Sequence, residues 1–144
     1  MEFAEGPFLR LDERRLKKIK SLKVDVIAHH KFLVGKFWEL RNSPRYHVPT
    51  AKTVLFEEVD ENGGRVQVCK FRQVTTQPKS DKSGGLRIIA AIFFNQDGPV
   101  KYVPILVYLA KEEGTSIAFN GSNYKLAKSG IISLFKARLE CAAI

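Results

Sequence analysis

The sequence predicts an α+β domain: an N-terminal helix or helical hairpin and a C-terminal helix packed on a central antiparallel sheet of four to five strands. Three observations carry this. Apolar residues from Leu16 to Trp38 recur at helical spacing. Between Thr53 and Ala110 they come instead in strand-length runs separated by turn residues. After Asn123 a helical stripe returns with Leu126, Ile131, Leu134, Phe135 and Leu139. Helices that flank a contiguous meander imply a two-layer domain, and residues 1–144 show neither a boundary nor a repeat.

Asp12 is placed to cap the first helix, with Glu13 in its first turn. The helical pattern runs to about Asn42, where Ser43-Pro44 ends it. Ser21 and the β-branched residues after it allow a break near residues 21–25, so one long helix and two antiparallel ones both fit. Thr53 to Asp60 reads as a strand, and Glu61-Asn62-Gly63-Gly64 as a turn. Arg65 to Thr76 is the next strand. Val66 and Val68 share one of its faces while Cys69 and Phe71 take the other, which a twist or bulge would reconcile.

Gln77 to Gly85 is a polar loop. Leu86 to Phe94 is apolar on both faces and therefore central. Asn95-Gln96-Asp97-Gly98 turns the chain into Val100 to Ala110, where Pro104, lacking an amide hydrogen, belongs at an edge or bulge. Ser116 to Phe119 can add a short strand, and Asn120-Gly121-Ser122-Asn123 can start the last helix.

Of 144 residues, 44% are hydrophobic, enough for one core, and the net charge of +9 favours a polyanionic partner such as nucleic acid or an acidic protein. Cys69 and Cys141 stand alone, as in a reducing cytosol, and no run approaches a membrane helix. Met1 to Pro7 has neither the basic start nor the apolar core of a signal peptide, so a cytoplasmic protein is expected. No metal-ligand spacing, nucleophile elbow or phosphate-binding glycine loop is present, and no cofactor is expected. His29 and His30, adjacent within a helix, face apart and read as structural or exposed.

What stands out is a basic cluster. Lys70 and Arg72 share a strand face, Arg87 opens the next strand, Lys79 and Lys82 lie on the loop between, and Lys111 ends the strand after it. If these strands pair, Lys70, Arg72 and Arg87 converge at one end of the sheet, with Lys79 and Lys82 hanging over them on the loop. Arginine forks and mobile lysines suit phosphates. A clamped RNA phosphate can be attacked by its neighbouring 2′-hydroxyl, and cations stabilise the pentacoordinate state. The N-terminal helix carries a further basic face, with Arg14, Arg15 and Lys18 placed to bind RNA.

Lys70-Phe71-Arg72, the run Lys82-Ser-Gly-Gly-Leu-Arg87-Ile-Ile and the run Ile105-Leu-Val-Tyr108-Leu-Ala-Lys111-Glu-Glu113 together resemble RelE/HigB-type toxins of bacterial toxin–antitoxin modules over residues 66–113. The resemblance implies an mRNA interferase, often acting on the ribosome, with a cognate antitoxin encoded beside it. It puts Lys70, Arg72, Lys82, Arg87 and Lys111 at the family's basic positions and Tyr108 at its aromatic one. Ala90 and Ala91 stand where the family has tyrosines. His47, Tyr108, Tyr124 and Glu113 each offer a general base. Arg87, Lys82, Arg72, Lys111 and Tyr108 are therefore the candidate catalytic set, and Lys70, Lys79, Arg14, Arg15 and Lys18 the candidate RNA contacts. The alternative is a non-catalytic basic protein on the same scaffold that binds nucleic acid or inhibits a host protein.

Overall fold

The computed structural model describes residues 1–40, 53–59, 61, 63–81 and 84–142. In chain order these form β1 (Glu2–Phe3), α1 (Leu9–Arg15), α2 (Leu22–Leu40), β2 (Thr53–Val59), β3 (Arg65–Gln73), β4 (Leu86–Asn95), β5 (Gly98–Leu109), a 3₁₀ turn (Ala110–Glu112), β6 (Ser116–Phe119), β7 (Ser122–Lys125) and α3 (Lys128–Ala142). The main sheet has the order β1-β5-β4-β3-β2, and β6 and β7 form a separate hairpin. All pairings in the main sheet are antiparallel except the short parallel contact of Glu2 and Phe3 with Lys101 and Tyr102. The fold is thus α+β as expected, with two N-terminal helices rather than one.

The layering differs from the expectation. Leu86, Ile88, Ala90 and Ile92 of β4 share a core with Cys69, Phe71 and with Leu9, Leu22, Val26 and Leu33 of α1 and α2. Their neighbours Ile89 and Ala91 share a second core with Val68, Leu106 and Tyr108, and with Ile131, Leu134 and Phe135 of α3. Helices cover both faces, giving three layers. The cause lies in β4 itself: a strand apolar on both sides needs two covers. The same arrangement explains β3, where Val68 and Cys69 are both buried because each face meets a core. The register shift lies not in β3 but in its partner β2, between Val54 and Phe56.

Pro104 sits where expected. Ile89 pairs with Leu106 and Ala90 with Pro104, so the ladder bulges at Ile105. Asn95 pairs with Gly98 around a tight turn that Asn95 Oδ1 holds by accepting the Asp97 N–H at 2.8 Å.

Three local expectations are corrected. Asp12 does not cap α1 but lies inside it, 1% exposed. The break between the helices falls at residues 16–21, ahead of the position expected. Asn120-Gly121 starts no helix: both have positive φ, 52° and 84°, the backbone of a hairpin turn, and they join β6 to β7. The end of α2 expected at Ser43-Pro44, and His47, lie outside the described residues.

The β5 edge of the sheet is closed by side chains. Among the described residues, no strand pairs with β5 on that side beyond Tyr102. Instead Asp12 accepts the Val107 N–H at 2.9 Å, Arg15 donates to the Val107 carbonyl at 2.7 Å, and Arg138 of α3 donates to the Ile105 carbonyl at 2.8 Å. α1 takes the place of a further strand because buried backbone groups must find partners.

Candidate anion-binding site

Arg72 stands directly opposite Arg87, and Arg87 directly opposite Tyr108. Paired residues in an antiparallel ladder point to the same face, and Lys70, two residues before Arg72, shares it. Three adjacent strands therefore bring Lys70, Arg72, Arg87 and Tyr108 to one end of the face that α3 covers. Lys70, Arg72 and Arg87 meet there as strand pairing implies, and β5 adds Tyr108.

The cluster closes on a carboxylate. β5 runs into the 3₁₀ turn, and Gly114, at φ 83°, reverses the chain just after Glu113. Glu113 Oε1 lies 2.6 Å from Lys70 Nζ and 3.4 Å from Arg87 Nε, and accepts the Tyr108 hydroxyl at 3.4 Å. One anionic oxygen thus accepts hydrogen bonds from Lys70 and Tyr108 and pairs by charge with Arg87. The Arg87 side chain is only 6% exposed, and a guanidinium so removed from water needs an anion beside it. Glu113, at 41%, remains open to solvent.

The Lys70 hydrogen bond holds the Glu113 carboxyl below its ordinary value; partial burial opposes this, and the Lys70 and Arg87 charges reinforce it. Burial, followed by the Glu113 charge, pushes the Tyr108 phenol well above its ordinary value of 10.0. The pair is therefore an ionised carboxylate and a protonated phenol across neutral pH. Such a site can accept a proton at Glu113, donate one from Tyr108, and hold a negative oxygen between Lys70 and Arg87.

The remaining predicted residues are placed differently. Arg72 is exposed on the same face. Lys111 is exposed in the 3₁₀ turn and lines a hollow of about 160 Å³ with Ile19, Thr75, Pro78, Ser80 and Leu109, apart from the Arg87 cluster. Lys79 tips a turn that is fastened to α2: Ser21 Oγ accepts the Gln77 N–H at 2.8 Å, and Asp25 accepts the Thr76 N–H at 3.1 Å. Lys82 lies outside the described residues. Arg15 is half-buried, with its guanidinium bound to Glu112 and to the Val107 carbonyl. Arg14 and Lys18 are exposed. Arg14 joins Arg10, Lys17, Lys20 and Lys23 around an open hollow of about 560 Å³, opposed only by Glu5 and Glu13 among its charged lining.

His29 and His30 do not face apart but both pack against Tyr102: His29 Nδ1 lies 3.0 Å from the Tyr102 hydroxyl, and the His30 ring, 5.5 Å from the Tyr102 ring, has its Nε2 2.8 Å from the Met1 carbonyl. Among the described residues no three His, Cys, Asp or Glu side chains gather as a metal site. No helix among them is long and apolar enough to cross a membrane.

Comparison with protein-family models, with curated proteins and with solved structures found no match. On sequence grounds Glu113 is only one of four candidate bases. The signal that selects it is its distance beyond the strand end: Tyr108 and Glu113 are separated by one short turn, so both return to the same face.

Proposed function

We propose that the chain cleaves RNA at the Lys70–Arg87–Tyr108–Glu113 cluster, as a toxin-like mRNA interferase held in check by a cognate acidic protein. The observation that carries this reading is the single oxygen, Glu113 Oε1, held by Lys70, Arg87 and Tyr108. A non-bridging phosphate oxygen has the same charge character and fits the same donors. The motif resemblance to RelE/HigB-type toxins supports the same reading, since its Lys70, Arg87 and Tyr108 are the residues that converge.

In this mechanism the phosphate takes the position of Glu113 Oε1 and the carboxylate, on its exposed turn, moves beside it. Glu113 takes the proton of the 2′-hydroxyl, and the freed oxygen attacks phosphorus. Lys70 and Arg87 stabilise the added negative charge of the pentacoordinate state. Tyr108 gives its proton to the departing 5′-oxygen. The products are a 2′,3′-cyclic phosphate and a 5′-hydroxyl end, and the two protons moved account for both oxygens. The acidic partner follows from the net charge of +9, since opposite charge speeds and steers association.

The test is incubation of the purified chain, alone and with ribosomes, with an RNA and its 2′-deoxy counterpart. Cleavage of the first only, leaving a 2′,3′-cyclic end, supports the reading, and an intact RNA under both conditions overturns it. A second reading, a non-catalytic basic binding protein, is favoured by the Arg10–Lys23 hollow, which gathers five cations around an open surface. Tight binding of RNA without cleavage would decide for it.

A further inference from the structure

Glu112 and Glu113 are neighbours, yet their carboxylates are used on opposite sides of the turn. Glu113 meets Lys70, Arg87 and Tyr108. Glu112 reaches back: its Oε1 accepts the Leu109 N–H at 2.8 Å, and its Oε2 is bound by Arg15 of α1. The same guanidinium donates from Nη2 to the Val107 carbonyl at 2.7 Å. Arg15 therefore grips the end of β5 and the far end of the 3₁₀ turn at once. The Glu112 carbonyl is held as well, by the Thr115 N–H at 2.9 Å and the Thr115 hydroxyl at 2.6 Å.

We propose that Arg15 and Glu112 are positioning residues that fix the backbone from which Glu113 reaches the cationic cluster. The role of Glu113 as base rests on the reading above; its placement does not. A glutamate has several rotatable bonds, and Lys70 is a flexible point charge that follows its partner rather than directing it. What sets where the Glu113 carboxylate can be is therefore its Cα, one residue beyond a clamp with fork geometry. The Arg15 and Glu112 side chains are 25% and 21% exposed, drier than an ordinary surface pair, so the clamp is not dissolved by water. Misplacing a reacting group by about 1 Å can cost on the order of 100-fold in rate.

The test follows Glu113 itself. Its carboxyl titration is read by carbon NMR in the full chain, with Glu113→Gln used to assign the signal. It is compared in wild type, Arg15→Met, Glu112→Ala and Glu112→Gln. Wild type should titrate below the ordinary 4.5. Arg15→Met and Glu112→Ala should move that midpoint upward, towards the ordinary value. Glu112→Gln, which still accepts the Leu109 N–H, should move it less, and it serves if either of the others fails to fold. RNA cleavage should fall about 10- to 100-fold in kcat, with KM little changed. An unchanged Glu113 midpoint in the folded variants overturns the proposal, because a merely structural clamp would lower stability without touching that midpoint. If wild type does not cleave RNA, the functional reading fails and the titration alone still decides the positioning. If the midpoint moves while cleavage by active protein does not, positioning holds and Glu113 is not the base.

Discussion

Arg138 and Asp12, 126 residues apart, meet as a two-pronged ion pair, Nη1 to Oδ2 at 3.0 Å and Nη2 to Oδ1 at 3.1 Å. Both side chains are nearly out of water, at 4% and 1% exposure. The Arg138 guanidinium also lies over the Phe8 and Phe119 rings, 5.2 Å and 5.3 Å from their centres. Burial pushes the Asp12 carboxyl up from its ordinary value, while the Arg138 fork, the Val107 N–H and the Arg15 charge draw it part of the way back. One contact thus ties the last helix to the first across the β5 edge.

The pair predicts an asymmetric loss of stability. Asp12→Ala leaves Arg138 charged, desolvated and unpaired, and should cost about 3–5 kcal/mol. The double change Asp12→Leu with Arg138→Met removes both charges and should recover a large part of that loss. It should not recover all, because the Val107 N–H still lacks its acceptor. Urea midpoints of the single and double variants check this; a double variant no better than the single one would contradict it.

Arg87→Ala should lower RNA cleavage on the order of 100-fold or more, by removing a cation from the transition state. Expression of the variant should then leave growth unaffected where the wild type slows it. Because the Arg87 side chain is nearly buried, near-ultraviolet circular dichroism must accompany the assay. A folded Arg87→Ala protein as active or as toxic as wild type would rule out this cluster as the site.

The acid limb of the pH–rate profile should fall below the ordinary glutamate value of 4.5, because Glu113 must be ionised to act and Lys70 keeps it ionised to lower pH. Lys70→Ala removes the largest lowering influence, so the limb should shift to higher pH. Tyr108, raised above its ordinary value, should impose no alkaline limb below pH 10.0. A limb that stays in place in Lys70→Ala would mean that another group titrates there.

The hollow between α1 and α2 makes a separate prediction. Charge reversal of Arg10, Lys17 and Lys20, which line it, should weaken RNA binding. It should also flatten the dependence of log affinity on log salt, by about 0.7 for each single-strand phosphate no longer neutralised. Fluorescence anisotropy across a salt series measures both, and an unchanged slope would place the RNA elsewhere.

The meander is legible because each strand run is apolar where it must be buried and each turn has its own chemistry; Arg72, Arg87 and Tyr108 can be aligned from strand pairing alone. The layering is legible in principle, since β4 is apolar on both faces, but that pattern speaks for a central strand before it speaks for a second cover. Asn120-Gly121 carries two meanings, helix start and hairpin turn, and only the backbone φ values choose between them. Asp12 and Arg15 look like a cap and a surface cation because their partners, Arg138, Val107 and Glu112, are about a hundred residues away in sequence. Local pattern says nothing of such pairs. Glu113 is obscured for a related reason: its role depends on how the chain turns after β5, which Gly114 sets.

The closed β5 edge has a consequence for self-association. An exposed strand edge offers a template on which another chain can grow a cross-chain sheet, and proteins commonly block it with charge. Here the Val107 N–H and carbonyl and the Ile105 carbonyl are already engaged by Asp12, Arg15 and Arg138, so an incoming strand finds these three groups taken. Loss of Asp12 would then do more than weaken the fold: it would uncover a sticky edge and favour aggregation of molecules that are still mostly folded.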